Sequence, residues 1–117
     1  MTAHEPQLRV RVRFVRFEDG GRRAPPTELT SGLYRPHFVV EPLKDRTLQP
    51  EEYLGVMFID GPETAVPDVD VDATVLLVYQ DVDYGSLQRG VRFRIMEGAH
   101  AVGTGIVLAP ASERRPS

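Results

Sequence analysis

Apolar and polar residues alternate along this chain in short runs, and the clearest run is Gly90 to Leu108. Val91, Phe93 and Ile95 alternate with Arg92, Arg94 and Met96, which predicts a strand with one apolar and one polar face. Gly98-Ala99-His100 supplies a turn. The return strand carries Val102, Thr104, Ile106 and Leu108 on one face and Ala101, Gly103, Gly105 and Val107 on the other. Glycines at alternate strand positions leave room for a close neighbour or a bend, as a small closed barrel requires.

The same pattern recurs upstream. Leu8 to Phe17 reads as a strand with Leu8, Val10, Val12 and Phe14 on one side and Arg9, Arg11 and Arg13 on the other; its phase slips at Val15, where a bulge is expected. Asp19-Gly20-Gly21 signals a turn, and the Arg- and Pro-rich segment up to Gly32 reads as a long exposed loop. Leu33 to Val40 is a second strand, with Pro36 inside it at an edge or bulge. Glu41 to Tyr53 is a connector with one helical turn at Pro50-Glu51-Glu52. Gly55 to Ile59 is a third strand. Val69 to Tyr79 is a fourth, whose apolar second half reads as buried on both faces. Asp81 to Arg89 connects to the final hairpin. Six short strands separated by Gly/Pro turns, without a long helix, predict an all-β fold, a six-stranded antiparallel closed barrel or a sandwich. The domain limits expected are a flexible N-terminus at 1–7, a single domain at 8–109 and a flexible tail at 110–117.

Composition narrows the function. The chain has 117 residues, 41% of them hydrophobic, enough for the core of one domain. It has no Cys, which excludes disulfides, a thiolate nucleophile and a zinc–thiolate site. No apolar run reaches the length of a membrane helix, and the first residues lack the pattern of a signal peptide, so cytoplasm is the expected compartment and no membrane partner is expected. The net charge of −3 conceals a pattern. Residues 1–40 hold seven arginines against four acids, residues 41–85 two basic residues against eleven acids, and residues 86–117 five arginines against two acids. An acidic chain is a poor general nucleic-acid binder, but its two basic ends create a local arginine face if the fold brings them together.

Three segments carry a family resemblance: E-D-G-G-R at 18–22, L-Y-R-P-H-F at 33–38 and G-V-R-F-R-I-M-E-G-A-H-A-V-G-T-G-I-V at 90–107. In order and spacing they resemble the C-terminal, third domain of bacterial elongation factor Tu, which reads E/D-E-G-G-R, G-Y-R-P-Q-F and G-L-R-F-A-I-R-E-G-G-R-T-V-G-A-G-V-V. The resemblance spans about residues 7–109 and implies a six-stranded antiparallel closed β-barrel. It also implies a surface that meets the T-stem of aminoacyl-tRNA, the nucleotide exchange factor and the factor's other two domains. Glu97 matches the T-stem-contacting Glu of R-E-G-G. His37 stands where the family has Gln, and Arg35 lies beside it in the same segment. The Thr-rich stretch that follows in the family is replaced by Glu41-Pro42-Leu43-Lys44, and the turn Gly98-Ala99-His100-Ala101 lacks the family's basic residue. No G-x-x-x-x-G-K-[ST] phosphate loop occurs, so this chain does not itself hydrolyse GTP as the factor's first domain does.

Several constellations invite chemistry. Arg9, Arg11, Arg13, Arg92 and Arg94 converge if the first and fifth strands lie near each other, giving a docking face for phosphate or an acidic partner; the plain alternative is a solvated outer face, or pairing with the acidic middle of the chain. Asp68, Asp70 and Asp72 resemble the opening of a calcium loop, but its sixth position is Ala73 and its twelfth Tyr79, so no metal site is expected. His4, His37 and His100 have no metal-ligand spacing, and Ser31, Ser86 and Ser112 lack a glycine-flanked elbow. The expectation is a non-catalytic, cofactor-free binding module whose partner is a protein, with self-association a secondary expectation. RNA binding through Arg35, His37 and Glu97, or a structural place in a larger complex, are the alternatives.

Overall fold

β1 (Gln7–Phe14) follows its pattern along its whole length: Leu8, Val10, Val12 and Phe14 are buried, and Arg9, Arg11 and Arg13 face solvent. After a single 3-10 turn at Phe17–Asp19 come β2 (His37–Glu41), β3 (Leu54–Asp60), β4 (Val71–Leu77), β5 (Arg92–Glu97) and β6 (His100–Pro110). The computed structural model describes residues 7–20, 29, 32–41, 54–79, 82 and 84–110. The N-terminal residues 1–6, the helical turn expected at Pro50 and the tail from 111 onward lie outside the described residues. Six antiparallel strands form one sheet in the order β1-β4-β3-β2-β5-β6, and β6 pairs back onto β1, so a ring of hydrogen bonds closes the sheet.

Closure encloses a core drawn from every strand. Phe38 stacks on Phe93 with centroids 3.9 Å apart, and Phe58 meets Phe38, Tyr34 and Phe14 at 6.4, 5.4 and 6.5 Å. Such offset and edge contacts suit the quadrupoles of the rings while excluding water from the interior. Gly103 and Gly105 of β6 face this core. A Cβ at Gly105 would lie 2.5 Å from Phe93 Cζ, so the bare backbone is what lets the ring lie flat against the wall.

The boundaries correct several expectations. The slip at Val15 is not a bulge: β1 ends at Phe14, and Val15 instead donates its N–H to the Val102 carbonyl at 2.9 Å. The bulges lie elsewhere, where Ile59, Val102 and Leu108 each stand unpaired between consecutive rungs. The one at Val102 buries that side chain fully while Thr104, expected on the same face, stays exposed. Pro36 lies just ahead of β2 rather than inside it, yet the ladder continues through it. The Val56 and Phe58 N–H groups donate to the Pro36 and Tyr34 carbonyls at 3.0 Å each, in the register of the His37–Gly55 pair. This arrangement uses the proline's carbonyl and leaves its missing N–H without consequence. His100 begins β6 instead of belonging to the turn, which is Gly98-Ala99 alone, with Gly98 at φ 63°. That is the position a type II′ hairpin turn reserves for glycine. Leu29, expected in an exposed loop, is fully buried beside Gly61 and Ala73. Finally, β6 continues through Ala109 and Pro110, which pair with Arg9 and Leu8.

Candidate functional site

β6 lies between β1 and β5, and this settles where the outward arginines stand. Arg11 pairs with Ile106 on one side of β6, and Arg92 pairs with Ile106 on the other; Arg13, Thr104 and Arg94 make the next rung. Since neighbouring strands are about 4.8 Å apart, the two arginine rows stand roughly 10 Å from each other across β6. An open groove of about 360 Å³ follows, lined by Arg11, Arg13 and Arg92 over Thr104, Gly105 and Ile106, with Asp70 on its margin. The first and fifth strands are thus neighbours once removed, and the two basic ends of the chain do meet. Arg9 and Arg94 share the outer face but do not line the groove.

The acidic middle of the chain reaches this face too. Arg11 donates from Nε and Nη2 to the Asp72 carboxylate at 2.7 and 3.3 Å. Arg13 Nε donates to Asp70 at 2.9 Å, and Arg94 Nε to Glu41 at 2.5 Å. The Arg11 hydrogen bond holds the Asp72 carboxyl below its ordinary value, and the same contact raises Arg11. Asp70 and Asp72 therefore serve as counter-ions to arginine. Among the described residues no cluster of three His, Asp or Glu side chains is placed to hold a metal ion. These pairs are exposed and individually weak. Arg92 has no ion pair among the described residues: Glu41 is its partner in the ladder, but the Glu41 carboxylate goes to Arg94. Cross-strand charge pairing depends on register, which spacing along the chain does not reveal, and this is why the pairing of three of the five arginines was only one of the sequence alternatives.

Arg35, His37 and Glu97 come together at the far end of β5, in a separate depression of about 320 Å³ that also contains Tyr34, Pro36, Met96 and Gly98. The two strands that carry them are paired, His37 lying opposite Met96. The Tyr34 hydroxyl donates to Glu97 at 2.6 Å, a contact no sequence signal pointed to. His37 is half-buried, and burial pushes its pKa below the ordinary value, so it is neutral near pH 7. Among the described residues, the groove and the depression share none. Among the described residues no helix is long and apolar enough to cross a membrane. No protein-family model matches this chain.

Proposed function

We propose that this chain is a non-catalytic binding module of the cytoplasm, akin to the third domain of elongation factor Tu, that docks a protein partner through the outer face of β1, β6 and β5. The observation that carries the reading is the groove in which Arg11, Arg13 and Arg92 meet across β6, with Arg92 lacking a counter-ion among the described residues. Exposed guanidiniums presented in a fixed row are the usual means of recognising carboxylate and phosphate groups. A closed ring of six antiparallel strands is the architecture the family resemblance calls for, and it supports that relationship.

A protein is favoured over RNA because among the described residues no aromatic side chain lines the groove to stack a base, and because the chain is acidic overall. RNA binding remains the second reading, favoured by the gathering of Arg35, His37 and Glu97 in one depression. There, however, the carboxylate already accepts from Tyr34 and the histidine is neutral, leaving Arg35 as the one cation of that lining among the described residues. The test is capture of partners from a lysate of the native host, with and without RNase, beside the Arg9→Glu/Arg11→Glu/Arg13→Glu variant. A partner that survives RNase and is lost with the variant supports protein docking. A partner that vanishes with RNase, with tRNA recovered, overturns it in favour of the second reading.

A further inference from the structure

The walls of the groove lean away from its floor. Arg11 and Arg13 stand on β1, and both reach across to Asp72 and Asp70 at the start of β4 and just ahead of it, on the side opposite β6. On the other wall Arg94 turns from β6 to Glu41 of β2. The strip between them is consequently open: Thr104 is exposed and Ile106 half-buried. Arg92 alone stands over this strip without a counter-charge among the described residues. Arg11 uses Nε and Nη2 for Asp72, so its Nη1 is available to a second acceptor.

Resting on the docking reading above, we infer that the groove takes an extended acidic segment of the partner protein, with carboxylates at alternate residues, laid along β6 over Thr104 and Ile106. The rung of Arg11 and Arg92 and the rung of Arg13 are two residues apart on their strands, a step of about 6.7 Å. Same-face side chains of an extended peptide repeat at that same step, so two successive carboxylates meet two successive rungs, while the methylene stems of those same side chains cover Ile106, which lies in the rung of Arg11 and Arg92. Every strand of the ring already has two neighbours, so the segment does not join as a further strand. Recognition rests on side chains, through charge-assisted bonds to guanidinium. Asp70, on the margin of the groove, occupies Arg13 in the free protein and is displaced when a partner carboxylate arrives.

The test is fluorescence anisotropy at low salt with the full chain and a labelled octapeptide of alternating Glu and Val, against the same peptide with Gln for Glu. The Glu peptide is expected to bind and the Gln peptide not. Arg92→Glu, at an exposed site, should leave the circular dichroism unchanged and weaken binding about tenfold or more, since it both removes an attraction and adds a repulsion. Asp70→Asn should tighten it about two- to fivefold by removing the internal competitor; a residue that merely supported the fold would move affinity the other way. The inference is overturned if the Gln peptide binds equally, if Arg92→Glu changes nothing, or if Asp70→Asn weakens binding. It is also overturned if oligothymidylate of equal charge competes better than the peptide, or if the chain forms a dimer that Arg92→Glu dissociates. Loss of peptide binding with RNase-resistant, arginine-dependent capture from lysate would remove this inference and leave the docking reading standing.

Discussion

Phe93 lies directly over Gly105, and the backbone of β6 takes the place of a side chain beneath its ring. A Cβ at Gly105 would come within 2.5 Å of Phe93 Cζ and 2.9 Å of the Arg11 carbonyl oxygen. Neither can retreat freely, because Phe93 is stacked on Phe38 and the carbonyl belongs to the β1 ladder. Gly105→Ala should therefore cost about 1–3 kcal/mol in chemical denaturation, the usual range for overpacking a filled core. Adding Phe93→Leu should recover part of that loss. An additive double variant would show that the clash is with the backbone alone.

Asp68 offers the opposite case, a place where glycine is missing. The Val69 N–H donates to the Val66 carbonyl at 3.3 Å, closing a turn with Pro67 second and Asp68 third, and Asp68 has φ 68°. That is the glycine position of a type II turn. Asp68→Gly should raise stability by about 0.5 kcal/mol, the relief of left-handed strain being offset by the greater freedom of the unfolded chain. The lost contact to Arg16, 3.5 Å away on the surface, subtracts little. A fall in the denaturation midpoint would show instead that the Asp68 side chain secures the turn.

The acid limb of stability should contain Asp72. Its carboxyl is held below the ordinary value by the hydrogen bond from Arg11. A carboxyl depressed in the folded state contributes stability that is fully present above its unfolded value, near 3.8, and is lost as pH falls through the lower folded value. Asp72→Asn should flatten the stability curve in that range, because its small cost is present near neutrality and vanishes at low pH, where the native carboxyl is protonated as well. Added salt should shrink the difference, because the pair is exposed.

His37 should act in a higher window by the same logic. Burial lowers its pKa below 6.5, so the unfolded chain binds the proton more readily than the folded one. Its contribution is present above 6.5 and is lost as pH falls through the folded value. His37→Gln should remove that slope in a pH series of thermal unfolding, leaving the limb due to Asp72 in place.

How far the sequence spoke depended on whether the information was local. The alternation in β1 and β5 named Val10, Val12, Phe93 and Ile95 as core and the intervening arginines as surface, because a strand's period is a property of adjacent residues. The paired glycines of β6 pointed correctly to a close approach. Which strand pairs with which is not local, so the position of β6 between the two arginine rows, and hence the groove, could be stated only as a condition. Pairing of Arg11 with Asp72 spans 61 positions and follows from the register of β1 on β4. Leu29 and Val102 were misplaced for related reasons: a polar neighbourhood hides an apolar residue that returns to the core, and a bulge reverses which face a side chain meets.

Tyr34 and Glu97 give the last prediction, and it separates the two surfaces. The ring of Tyr34 packs edge-on against Phe14, while its hydroxyl donates to Glu97 at 2.6 Å in a partly buried setting. Tyr34→Phe keeps the ring and removes the donor, which should cost about 1.5–3 kcal/mol, as for a hydrogen bond to a charged acceptor. Glu97→Gln should also cost stability, and the double variant less than the two together, because they share one contact. Arg35, His37 and Glu97 belong to this depression and not to the arginine groove, so Tyr34→Phe should leave binding of an acidic peptide unchanged. If it altered that binding without unfolding the chain, the two surfaces would be energetically coupled, and the partner would have to span both ends of β5.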